Sequence, residues 1–170
     1  MSHLKQTGLG FLIYADDNGG KFPMQVPVAH GGTMDLISSG HTFPSFQKLQ
    51  KYVPNPGNFI CPVDKTRLAA MNYASLSDLN LSYFLNVDAA TNNPAQTILA
   101  GDRYLQIDGR PVNSGLFFLS TNLSLSWSPR YHHNKGILAF SDDHVEISTS
   151  IKLPASLQNQ PLATNRLSLP

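Results

Sequence analysis

The chain has 170 residues, 41% hydrophobic and 14% charged. That composition fits one domain with a substantial core and excludes the low-hydrophobicity, high-charge make-up of a disordered chain. Its 12 Lys and Arg against 11 Asp and Glu leave a net charge of +1, so no long-range field draws in nucleic acid or an anionic membrane surface.

The first predicted element is an amphipathic helix from about Ser2 to Asp17. Leu4, Gly8, Phe11, Leu12 and Ala15 recur at helical spacing, while Lys5, Gln6, Asp16 and Asp17 take other faces. Asn18-Gly19-Gly20 stops it, because Asn and Gly accept the left-handed cap conformation. Residues 22–44 hold Pro23, Pro27, Gly31, Gly32 and Gly40 and are expected to be irregular; a loop of that length in a compact domain is often functional. A second short helix is predicted over Ser45–Val53, with Phe46, Leu49 and Val53 on one face and Pro54-Asn55-Pro56-Gly57 ending it.

The remainder reads as strands: Asn58–Cys61, Leu81–Leu85, Thr97–Ala100 and Gly115–Leu119, with a turn at Asp108-Gly109. The clearest hairpin joins Gly136–Phe140 to His144–Ser148 across Ser141-Asp142-Asp143. Its second arm alternates, Val145 and Ile147 on one face, His144, Glu146 and Ser148 on the other. Beyond Ile151 the chain turns polar and carries Pro154, Pro161 and Pro170, so 152–170 is expected to be an extended tail. One helix followed by mostly antiparallel strands is an α+β arrangement, here a single domain over 1–170.

Metal-ligand chemistry concentrates in His132, His133, Asp142, Asp143 and His144. Imidazole and carboxylate suit zinc or a similar ion. The pattern closes on no known ligand spacing, and the plainer reading is a polar turn with a backbone-bonded histidine. Asp102, beside Arg103, reads as a strand-end ion pair or turn acceptor, with a catalytic carboxylate as the alternative. Asp16-Asp17-Asn18 offers the hard oxygens calcium takes, but lacks the following spaced acid and reads as a solvated helix end. Trp127, with Tyr131 near it, is either core or a stacking platform for a sugar. The single cysteine, Cys61, cannot close an intramolecular disulfide. No phosphate loop and no nucleophile elbow occurs. No cofactor is predicted; a divalent metal, calcium or zinc, is the one that the His132, Asp142, Asp143 and His144 group would suit.

Four patches resemble one family. Leu4-Lys5-Gln6-Thr7-Gly8-Leu9, followed by Tyr14-Ala15-Asp16-Asp17-Asn18-Gly19-Gly20-Lys21-Phe22-Pro23, resembles the segment just after the membrane helix of type IV pilin-like proteins, and more specifically of type II secretion pseudopilins with a prepilin-type cleavage and methylation leader. His132, nine residues, then Asp142-Asp143 is similar to the His-x9-Asp-Gly motif of one subgroup, with Asp143 in the glycine's place. Phe59-Ile60-Cys61-Pro62-Val63-Asp64 and Ile98-Leu99-Ala100-Gly101-Asp102-Arg103 resemble middle segments of the same proteins.

The resemblance implies a pilin-like fold in which residues 1–18 are the C-terminal half of a longer helix packed on an antiparallel sheet, with the leader and the apolar half upstream of Met1. No stretch of the chain itself approaches the roughly 18 apolar residues that span a bilayer. It further implies a structural subunit rather than an enzyme, anchored in the inner membrane, with this domain in the periplasm or at the cell surface. Its partners would be copies of itself and other pseudopilins, met through the N-terminal helix, and no nucleic acid. Some pseudopilins bind calcium in a C-terminal loop, but no ligand set carries over to these residues. Two other functions compete: an extracellular ligand- or polysaccharide-binding module acting through residues 23–44 and Trp127, and a metal-dependent hydrolase using His132, His144, Asp142 and Asp102. If the position of Asp143 demands a positive φ, Asp there costs roughly 1 kcal/mol against Gly.

Overall fold

The computed structural model describes residues 2–91, 97–119, 125–129, 132–149 and 165–170. Helix α1 (Ser2–Asp17) buries Leu4, Thr7, Gly8, Gly10, Phe11, Tyr14 and Ala15, the face that the apolar spacing predicts. It ends as expected: Gly20 N–H bonds the Ala15 carbonyl at 2.8 Å, and Gly19 and Gly20 take φ of 65° and 77°. Close approach is built into the helix, since a Cβ on Gly10 would lie 2.3 Å from Val53 Cγ2.

Residues 22–44 carry only short 3-10 turns, at Pro23–Gln25, Val28–His30 and Met34–Ser39. The second helix, α2, is Phe43–Gln47, shorter and earlier than the predicted Ser45–Val53. Past Gln47 most backbone bonds tighten to three-residue steps, Gln50 N–H to Gln47 O and Tyr52 N–H to Leu49 O, with one four-residue step from Val53 N–H to Leu49 O. The predicted apolar face survives without the helix, because Phe46, Leu49 and Val53 are all buried. No strand forms at 58–61. Pro56–Phe59 is a 3-10 turn whose Asn55 side chain accepts the Gly57 N–H, a local bond that outcompetes strand pairing.

Strands β1 (Tyr83–Asn86), β2 (Ile98–Asp102), β5 (Gly115–Leu119), β7 (Lys135–Phe140), β8 (Val145–Thr149) and β9 (Asn165–Leu169) form one six-stranded sheet in the order β5-β9-β1-β2-β7-β8. Every pairing in it is antiparallel. Strands β3 (Leu105–Ile107), β4 (Arg110–Pro111) and β6 (Leu125–Trp127) form a second sheet in the order β4-β3-β6. The Asp108-Gly109 turn falls where the sequence places it, with φ of 49° and 73°, the paired left-handed residues of a tight hairpin. The α+β class is thus realised as one N-terminal helix and two antiparallel sheets.

The large sheet is sandwiched. On one face Leu85, Leu99, Ala100, Ile137 and Ala139 meet Leu4, Phe11 and Ala15 of α1 together with Phe46 and Phe59. On the other, Phe84, Ile98, Leu138, Leu167 and Leu169 meet Leu105, Leu125 and Trp127 of the small sheet. A register shift between Ile98 and Ala100 places both Leu99 and Ala100 on the α1 side, as a β-bulge does.

One expectation about the C-terminal third is corrected. The predicted tail over 152–170 ends in β9, which lies inside the sheet between β5 and β1 with Leu167, Ser168 and Leu169 buried. Residues 152–164 lie outside the described residues, as does Tyr131. The β7–β8 hairpin forms as predicted and its alternation holds, with Val145 and Ile147 opposite Ala139 and Ile137, and Glu146 and Ser148 opposite Leu138 and Gly136. Strand β8 is the sheet edge; Ile147 is half exposed there and Ser148 is buried.

Candidate metal centre

Three segments far apart in sequence meet at one point. After the 3-10 turn at Pro56–Phe59, the chain turns tightly at Cys61-Pro62-Val63-Asp64, with Asp64 N–H bonded to the Cys61 carbonyl at 2.8 Å. Pro62 fixes its own φ and removes one donor from this turn. Asp102 ends β2 and accepts the Ile137 N–H of β7 at 2.9 Å. His132 leads into β7 from a run of left-handed residues, His132, His133 and Asn134, at φ of 49°, 52° and 63°.

The geometry is convergent. Cys61 Sγ lies 3.4 Å from His132 Nε2, and Asp102 Oδ2 lies 3.5 Å from the same nitrogen. One ligand atom of each residue falls within 4.8 Å of the other two. Cys61 and Asp102 are buried, and the His132 side chain keeps 25% exposure. Burial pushes the Cys61 thiol up and the nearby Asp102 carboxylate adds to the shift, while the Val63 and Asp64 backbone amides pull weakly the other way. Burial likewise raises Asp102, to about 6, against the Ile137 N–H and the His132 imidazole, which favour its charged form.

Beside this cluster a buried carboxylate anchors the turn. Asp64 accepts Ser82 Oγ at 2.9 Å and Arg103 Nε at 3.1 Å on one oxygen, and Thr66 Oγ1 at 2.7 Å and the Tyr104 hydroxyl on the other. Burial raises its pKa, but the bonds from Tyr104, Thr66, Arg103 and Ser82 prevail and hold it down to about 2. Arg103 therefore pairs with Asp64, and Asp102, the predicted strand-end acceptor, takes a backbone amide and His132 instead.

The predicted ligand group divides. His132 joins Cys61 and Asp102, the one three-ligand cluster among the described residues. Asp142, Asp143 and His144 sit in the β7–β8 loop, where His144 Nδ1 and Asp142 Oδ1 pair at 2.6 Å and the His144 ring stacks on Phe140 at 4.0 Å. Asp143 stands at φ 72°, so the position does demand the left-handed conformation a glycine takes freely. The Asp16-Asp17-Asn18 run is engaged elsewhere: Asp17 holds Lys51 at 2.6 Å and Tyr52 at 2.9 Å, and the Asn18 amide caps Tyr14 O. Trp127 is 2% exposed and offers no ring face to a sugar.

Cys61 is the member of the cluster that sequence reasoning missed. The signal available was its place in Phe59-Ile60-Cys61-Pro62-Val63-Asp64, one of the four family-like patches; spacing along the chain gives none, because Cys61 and His132 are 71 residues apart. Chemically the cluster offers a soft sulfur, an imidazole and a carboxylate at one point. It does not form a nucleophile relay, in which a histidine takes the thiol on one ring nitrogen and the carboxylate on the other; here both partners face Nε2. Searches among protein-family models, curated proteins and solved structures find no match for this chain.

Proposed function

We propose that this chain is a pilin-like structural subunit of a bacterial envelope filament or type II secretion-type machine, and that it works by assembly rather than catalysis. The observation that supports the reading is the disposition of α1. One face packs on the large sheet, while Leu9 and Ile13, one turn apart on the outward face, stay 43% and 40% exposed. An outward apolar pair on a helix that is otherwise seated is a surface a neighbouring subunit's helix can cover. The net charge of +1 lets like subunits approach without strong repulsion. In this reading the domain is held to the inner membrane by a segment upstream of α1 and faces the periplasm or the cell surface; among the described residues no helix is long and apolar enough to cross a membrane. The binding-module alternative loses Trp127 to the core and keeps the 23–44 segment, whose exposed large apolar side chains are Val28, Met34 and Leu36.

The test is the N-terminal sequence and intact mass of the native protein taken from the source cell's envelope. The expected result is a processed N-terminus followed by about twenty apolar residues running into Leu4-Lys5-Gln6. A native chain that starts at Met1 and fractionates with the cytosol overturns the proposal.

A further inference from the structure

We propose that Cys61, Asp102 and His132 form a zinc-class metal site, holding one four-coordinate divalent cation through a thiolate, a carboxylate and an imidazole, with water in the fourth position. The site is independent of the assembly role and would hold in a chain of any function.

The spacing is that of ligands around a shared centre. With metal–sulfur near 2.3 Å and metal–nitrogen or –oxygen near 2.0–2.2 Å, tetrahedral angles place the ligand atoms about 3.4–3.6 Å apart. The Sγ···Nε2 and Nε2···Oδ2 separations are 3.4 and 3.5 Å. Both partners converge on one imidazole nitrogen, and one cation placed between them can bind all three. The donor set, one soft sulfur with nitrogen and oxygen, selects zinc-class ions over calcium or magnesium.

Further features suit a ligand site better than a packing contact. Asp102 is an acid at 3% exposure with no Lys or Arg paired to it among the described residues, since Arg103 is taken by Asp64; a cation adds to the charge that His132 alone offers it. Its carboxylate is aimed by the Ile137 N–H, the kind of outer contact that orients metal ligands. His132 is held at φ 49° at the head of three left-handed residues, a conformation that non-glycine residues adopt at a cost and that clusters at functional positions. The exposed quarter of the His132 side chain gives the ion a way in and leaves room for water. Binding exchanges the thiol proton for the metal–sulfur bond and releases that proton to solvent. The bound ion would staple the 61–64 turn, the end of β2 and the lead into β7.

The test is a Co2+ titration of the untagged, chelator-treated chain. The expected result is one equivalent bound, with a thiolate-to-cobalt charge-transfer band, four-coordinate visible bands, and displacement by Zn2+. Zn2+ should also raise the thermal midpoint of the wild-type chain. His132→Gln should bind cobalt about 100-fold more weakly or worse, beyond the loss that removing an outer contact brings, and Cys61→Ser should lose the charge-transfer band. X-ray absorption on the zinc-loaded wild type keeps the question open to decision if a variant fails to fold: one sulfur at about 2.3 Å with three nitrogen or oxygen neighbours is expected. Folded wild-type protein that shows no charge-transfer band, a metal shell without sulfur, or a folded His132→Gln that binds as tightly as wild type each overturns the site.

Discussion

Two buried aspartates, Asp64 and Asp102, sit at neighbouring chain positions in space and titrate in opposite directions. Asp64 is satisfied by Arg103, Ser82, Thr66 and Tyr104 and is held down to about 2, against an ordinary 3.8. A depressed carboxylate contributes stability that is present above pH 3.8 and lost as pH falls through about 2, on the order of 2 kcal/mol for a shift of this size. Asp102 is raised by burial to about 6, so its contribution is complete below pH 3.8 and is lost as pH rises through about 6. Urea midpoints of the metal-free chain should therefore fall on both sides, below about pH 4 from Asp64 and between about pH 4 and 6 from Asp102. Asp102→Asn keeps an acceptor for the Ile137 N–H and should flatten only the upper limb. An unchanged upper limb in that variant would remove Asp102 as its source. Asp143 makes a separate case. It stands at φ 72°, and its Oδ1 is buried without a hydrogen-bond partner. Asp143→Gly should stabilise the chain by about 1 kcal/mol, read as a shift of the urea midpoint at unchanged slope, and Asp143→Val should destabilise it.

At the scale of elements, the strand that sequence reasoning left as a tail holds the sheet together. Strand β9 pairs with both β5 and β1, and Arg166 locks it to Asp88 through its backbone N–H at 2.9 Å and its guanidinium. Leu167→Ala should cost about 2–5 kcal/mol, the range for emptying a fully buried leucine site. A loss below about 1 kcal/mol in urea unfolding, less than such a truncation costs, would mean the strand is not seated as described. Gly136→Ala should also destabilise, by about 1–3 kcal/mol, since its Cβ would meet the Trp127 ring at 2.4 Å. What the sequence revealed here follows from locality. The β7–β8 hairpin and the Asp108-Gly109 turn are set by residues a few positions apart, and both were legible. Strand β9 alternates Asn165-Arg166-Leu167-Ser168-Leu169, but its partners lie across the chain and its polar surroundings hid the period. The opposite error at 58–61 has a local cause, since an apolar run beside Pro56-Gly57 turned where a strand was read.

For the molecule as a whole, three of the four family-like patches converge. Cys61 and Asp64 come from one, Asp102 and Arg103 from another and His132 from the third, and the fold sets them side by side at the end of the large sheet. The residue types were visible in the sequence, but their grouping was not, because contact between residues 71 apart leaves no periodic trace. The fourth patch, α1, carries the assembly reading, and its outward face is where that reading is most exposed to test. Leu9→Lys with Ile13→Lys replaces two side chains that are about four-tenths exposed, so the fold should lose no more than about 0.5 kcal/mol per site. In the native full-length protein, returned to its source cell, the same pair should abolish recovery of the chain in sheared or cross-linked envelope assemblies while leaving its level unchanged. The contrast is with Phe11, fully buried against Phe22 and Phe46, where Phe11→Ala should cost about 3–5 kcal/mol and deplete the protein itself. If the lysine pair leaves assembly intact at normal abundance, the outward face of α1 is not a subunit contact, and the exposed Val28, Met34 and Leu36 become the surface to alter next.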